Sequence, residues 1–183
     1  MKKNKQINFI AEIAIFSAMG VALDFVCGLL FGFAWLNGGS ISIAMVPILM
    51  MGFRWGLKGG LATGLIVGVV QLLIPNLAFT GGGPIQVFLD YIFAYGVIGM
   101  VGIIKISHLH PKKQVIYASI AMLVVGLLRT TSHVISGVVY FGTGLWGSVV
   151  YNLMYMVPSI IISAIIVDLL IIRSPELIFF EEL

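Results

Sequence analysis

Asp90, Arg129, His133 and Asn152 lie inside long apolar stretches. An ionisable side chain there costs roughly 2.5–3.5 kcal/mol on insertion scales, so each such residue needs a partner or a ligand. Asp90 offers a carboxylate to a cationic or amidine-like group, or neutralises Arg129, the sole basic residue within an apolar stretch. Arg129 and His133 are spaced i, i+4 and share one helix face. Arg129 reads as a clamp on carbonyls or a carboxylate, and His133 as a hydrogen-bonding group for a ligand or for a neighbouring helix. Asn152 suits the same two uses. Tyr91 follows Asp90 directly, and Trp35, Phe141 and Trp146 lie in uncharged links. Such rings can stack on a flat heterocycle or hold a cation, or belong to an ordinary interfacial belt. The other acids are given no ligand role. Glu12 can snorkel, Asp24 can pair with Arg129 or cap a helix, and Asp168 can neutralise Arg173 or sit in water.

The elements that must position these groups follow from composition. Of 183 residues, 60% are hydrophobic and 9% charged, and mean hydropathy is +1.13. A soluble domain is about a quarter charged. Soluble enzymes, nucleic-acid binders and disordered regulators are thereby excluded, and the solvent is a lipid bilayer. A span needs about 20 apolar residues. Breaks at Gly, Pro and charge place spans at residues 7–33, 41–53, 59–74, 85–104, 115–140 and 148–172, the second of them short. The expectation is one all-α, polytopic membrane domain over residues 1–183, with six transmembrane helices. Of the 10 Lys and Arg, all but Arg129 fall in the N-terminus, alternate links or the start of the tail. This asymmetry puts both termini in the cytoplasm. Asp90, Tyr91, His133 and Asn152 then share the outer half of the membrane.

Ala14, Ala18 and Ala22 repeat at four-residue spacing in the first span, with Gly20 nearby. Small residues on one face let another helix approach, either within the bundle or on a second membrane protein. There is no G-x-x-x-x-G-K-[ST], H-E-x-x-H or G-x-S-x-G motif. His108 and His110 read as solvated loop residues beside lysines. No metal and no cofactor are expected. Cys27 reads as a small packing residue.

Four blocks, in order, carry a resemblance. They are Gly38-Gly39-Ser40-Ile41-Ser42-Ile43-Ala44-Met45-Val46-Pro47-Ile48 running to Phe53-Arg54-Trp55-Gly56; Gln86-x-x-x-Asp90-Tyr91; Leu128-Arg129-x-x-x-His133-Val134-Ile135-Ser136-Gly137; and Tyr151-Asn152-x-x-Tyr155-Met156-Val157-Pro158-Ser159. Together they resemble the ThiT-type thiamine-binding S components of energy-coupling factor (ECF) transporters. The resemblance implies a six-helix bundle with an outward-facing, occluded thiamine pocket. It implies docking on a transmembrane coupling subunit that carries two cytoplasmic ATPase subunits, in the bacterial cytoplasmic membrane. It implies ligand contacts at Asp90, Tyr91, His133, Phe141 and Asn152, with Trp35 as a further aromatic and Trp146 filling space beside Gly147. It makes Ala14, Ala18 and Ala22 the docking face. Some members of that family carry Glu at the position of Asp90, Trp at that of Phe141 and Tyr at that of Gly147.

The expected function is thus a substrate-binding transporter subunit without chemistry of its own. An intramembrane enzyme using Asp90 and His133 as acid and base is one alternative. A self-sufficient proton-coupled carrier using Asp24, Asp90 and His133 is another.

Overall fold

Every backbone N–H and C=O in a bilayer must find a partner inside the chain, so continuous apolar segments become helices. The computed structural model describes residues 2–32, 39–74 and 83–180, and among these all regular structure is helical. Helix α1 is Lys2–Phe31 and α2 is Met45–Leu73. The apolar helix Pro84–Ile103, α3, contains a π turn at Phe88–Phe93 and ends in a 3-10 turn at Met100–Ile103. Helices α4, Pro111–Tyr140, and α5, Leu145–Arg173, complete the bundle. A short α6, Pro175–Ile178, follows. By length and composition, 5 helices among the described residues can cross a membrane.

The second and third expected spans are the two arms of α2. The break falls at Gly56, whose φ of 68° and ψ of −163° are open to glycine and strained for other residues. The chain folds back there. A Cβ on Gly60 would stand 3.0 Å from the Cα of Gly52, although a straight helix would hold positions eight apart at about 12 Å. The first arm, residues 45–55, would be about 16 Å long at 1.5 Å per residue, short of a ~30 Å hydrocarbon core. Sequence patterning starts this span at Ile41, but residues 39–44 are not helical. Their polar groups are taken up locally instead. The Ser42 N–H donates to Ser159 Oγ at 2.9 Å, and the Ala44 N–H to Ser42 Oγ at 3.1 Å.

The return arm of α2 brings backbone onto the backbone of α3 at three glycines. A Cβ on Gly60 would come within 2.3 Å of Gly99 O, on Gly64 within 2.3 Å of Tyr95 O, and on Gly68 within 2.6 Å of Tyr91 O. This spacing of four puts all three glycines on one face. Helix α1 covers α2 with Ile13, Ser17, Gly20, Val21 and Cys27, which are buried. Ala14, Ala18 and Ala22 face the other way and are exposed.

At the basic end, Arg54 ties three parts of the chain together. Its Nε donates to Glu12 Oε2 at 2.7 Å and its Nη1 to the Glu176 carbonyl at 2.8 Å. Its guanidinium also lies 4.1 Å from the centre of the Phe180 ring. Trp55 Nε1 donates to the same Glu12 oxygen at 2.7 Å. Glu12 is therefore held by a cation rather than snorkelling freely. Asp168 accepts from Ser119 Oγ at 2.7 Å, not from Arg173.

Gly64→Leu forces backbone apart and should lower stability by at least about 3 kcal/mol. Gly28→Leu, where a Cβ meets nothing within 4 Å, should be near neutral. Thermal unfolding in detergent compares the two. Arg54→Ala, which strands a mostly buried Glu12, should cost about 2 kcal/mol by the same measurement.

Candidate ligand-binding site

The end of the bundle away from Arg54 gathers the start of α3, the end of α4 and the start of α5. The π turn of α3 carries Asp90 and Tyr91. Single π turns re-aim side chains by inserting an extra residue into the helical ladder. The Leu89 carbonyl in this turn accepts from Ser132 Oγ of α4 at 2.7 Å, which locks the two helices together.

Asp90 is thereby set against one face of α4. Its Oδ1 lies 3.0 Å from His133 Nδ1, and its Oδ2 accepts from Ser136 Oγ and from Gln86 Nε2, both at 2.7 Å. His133 and Ser136 share that face because they are one turn apart. One turn before His133, the Arg129 Nε donates to His133 Nε2 at 3.4 Å. That contact fits a ring with its proton on Nδ1, pointing at Asp90, so that a neutral imidazole links guanidinium to carboxylate. The rest of the Arg129 head lies over Tyr95, 4.3 Å from the ring centre.

Direct pairing of Asp90 with Arg129, an option in the sequence, is therefore replaced by a chain through His133. Nor does Asp24 pair with Arg129. Asp24 Oδ1 accepts from Ser42 Oγ at 2.5 Å.

Helix α5 adds a second wall. Asn152 Nδ2 donates to the Ser148 carbonyl at 2.9 Å, and Asn152 Oδ1 accepts from Tyr155 OH at 2.5 Å. Ser148 Oγ in turn donates to the Val134 carbonyl at 2.9 Å and fastens α5 to α4. The Tyr155 ring lies edge-on to His133 with centroids 6.3 Å apart. Its other flank holds Gly39, where a Cβ would come 2.9 Å from the ring. Residues 39–44 therefore close over Tyr155 from the α1 side.

A carboxylate in an apolar stretch costs roughly 2.5–3.5 kcal/mol, and a side-chain hydrogen bond in a membrane returns about 0.6 kcal/mol on average. Asp90 accordingly gathers several partners at once.

Asp90, His133, Tyr91 and Asn152 are brought to one end of the bundle, with Asn152 joined to His133 through Tyr155. Tyr91 is half-buried and its carbonyl lies against Gly68. Phe141 caps α4 and is half-buried, about 12 Å beyond His133 along the axis. Trp146, in the first turn of α5, is 78% exposed and does not join the buried groups. Trp35 lies outside the described residues. Gln86, Ser136 and Tyr155 complete the site but carry no ionisable signal in an apolar stretch. Their traces in the sequence are their positions at i−4 from Asp90, i+3 from His133 and i+3 from Asn152, and their place in the blocks that carry the resemblance.

The sequence profile of the family described as thiamine transporter protein (Thia_YuaJ) matches residues 10–179. Thiamine transporter ThiT of Bacillus subtilis is 42% identical over 191 aligned residues, covering 97% of each chain. Thiamine transporter ThiT of Lacticaseibacillus paracasei is 24% identical over 194, covering 97% of this chain and 93% of its own. A solved structure of ThiT from Listeria monocytogenes superposes with a TM-score of 0.78 at 26% identity, covering 96% of this chain and 99% of the other. With that shape, and with Asp90, Arg129, His133 and Asn152 in the blocks that carry the resemblance, the chain belongs to the thiamine transporter protein family.

Proposed function

We propose that the chain is the thiamine-binding subunit of an ECF-type vitamin uptake transporter in the bacterial cytoplasmic membrane. The observation that carries this reading is the buried chain Arg129–His133–Asp90 facing Tyr155 and Asn152, in a sequence matched over residues 10–179 by the thiamine transporter family. Thiamine joins an aminopyrimidine, with donor and acceptor edges, to a thiazolium ring that is a fixed cation. Asp90 and His133 suit the pyrimidine edge. Tyr91, Phe141 and Trp35 supply flat faces. A mostly apolar site with a few placed polar groups is the usual design for a small ligand, and buried partners reject analogues that leave them unpaired.

With both termini in the cytoplasm, this site opens outward. The chain captures thiamine, the outer links close, and the bundle docks through Ala14, Ala18 and Ala22 on the transmembrane coupling subunit. Two cytoplasmic ATPase subunits supply the energy that reorients it. All three alanines lie on the exposed face of α1, where small side chains let a second helix come close. The chain itself performs no covalent chemistry.

Purified, ligand-free protein should bind thiamine in calorimetry without ATP or metal, and absence of binding would end this reading. Asp90→Asn removes the charge behind several hydrogen bonds and should weaken binding roughly 10–100-fold. Ala18→Trp should leave binding by the purified chain unchanged and abolish uptake in cells that also express the coupling and ATPase subunits. Normal uptake by that variant would remove the alanine face from docking.

A further inference from the structure

The charged groups at the site end of the bundle do not balance. Among the described residues they are the partly exposed Asp24 and Asp90 and the buried Arg129, with His133 as a neutral link. Arg129 reaches Asp90 through the imidazole. Asp90 is further satisfied by Ser136 and Gln86, so both its oxygens are engaged. Among the described residues, the Ser42 hydroxyl is the one hydrogen-bond partner of Asp24. Among the described residues Arg54 forms an ion pair with Glu12, and His133 meets Asp90 by a hydrogen bond. Asp24 belongs to neither, and a carboxylate so placed in a membrane is expensive.

We infer that Asp24 is the counter-charge for a cationic ring of the ligand. This rests on the thiamine reading and deepens it, because it gives the ligand's two rings separate carboxylates. Asp90, with His133 and Gln86, takes the neutral ring. Asp24 takes the cation.

The geometry agrees with that division. Asp24 is partly exposed rather than sealed, so a ligand can reach it. Ser42 holds its Oδ1 at 2.5 Å, which orients the carboxylate and leaves Oδ2 available. Ser42 itself is fixed by its N–H to Ser159 Oγ, and Ser159 Oγ donates to the Tyr155 carbonyl at 2.6 Å. Asp24 and Asp90 are thus both linked to Tyr155, the first through Ser42 and Ser159 to its carbonyl and the second through His133 to its ring. A molecule with a hydrogen-bonding ring at one end and a cationic ring at the other would use both carboxylates. Binding would cancel the remaining negative charge.

The test uses the full purified chain and two ligands, thiamine and an analogue whose thiazolium is replaced by an uncharged ring. Wild-type protein should prefer thiamine by about tenfold or more, as for other charge-assisted contacts. Asp24→Asn should weaken thiamine by about that factor, leave the neutral analogue within about threefold, and so erase the preference. Asp24→Glu, which keeps the charge, should restore much of it. Asp90→Asn should weaken both ligands together. Should Asp24→Asn not fold, Asp24→Ser keeps a hydroxyl partner for Ser42 and carries the same measurement. Equal weakening of both ligands by the Asp24 variants would make Asp24 a brace for residues 39–44 and overturn the inference, as would no change in either. Wild-type protein that binds neither ligand would instead overturn the thiamine reading itself.

Discussion

The contact between the return arm of α2 and α3 sets everything above it. Helix axes ordinarily pack 8–10 Å apart, with side chains between them. Here Gly60, Gly64 and Gly68 bring backbone onto backbone, and what they touch includes the carbonyls of Tyr95 and Tyr91. Tyr91 lies in the π turn beside Asp90. The rotation of Asp90 about α3 is therefore backed by backbone contacts. Where backbone meets backbone there are no rotamers to rearrange. This is what a charged group needs when its hydrogen bonds must stay aligned in a low-dielectric medium.

The same constraint explains why polar residues occur in linked sets. In hydrocarbon, an isolated donor or acceptor has no water to fall back on. Asp90 brings Gln86, Ser136 and His133 with it, and His133 brings Arg129. Asn152 brings Ser148 and Tyr155. Even the non-helical residues 39–44 follow this rule, since Ser42 and Ser159 satisfy the N–H groups that a helix would have used. Family membership and a TM-score of 0.78 to the Listeria monocytogenes structure place these sets in a known bundle. The partners within each set are particular to the residues present here.

Much of this was legible in the sequence, for identifiable reasons. Continuous apolar runs can only be helices in a bilayer, so the helix boundaries came close to those expected. Asp90, His133 and Asn152 stood out because ionisable and amide groups are scarce in such runs. What stayed hidden depended on contact between distant segments. The spacing of Gly60, Gly64 and Gly68 is visible, but its partner surface on α3 is not. The extended course of residues 39–44 looks like the start of a span, because Ile41, Ile43 and Ala44 are as apolar there as in a helix. Arg129 looked like the natural partner of Asp90 on charge alone, and only the register of α3 on α4 inserts His133 between them. Asp24 was set aside because its partner, Ser42, is eighteen positions away in a segment expected to be helical.

The clasp around Arg54 joins parts of the chain that are far apart in sequence. Its components come from the first helix, from the α2 turn and, through the Glu176 carbonyl and the Phe180 ring, from the segment after α5. One guanidinium thus spans contacts 42 and 122 positions away. Neither α1 nor α6 can shift at this end without disturbing the other, because both are anchored on the same side chain.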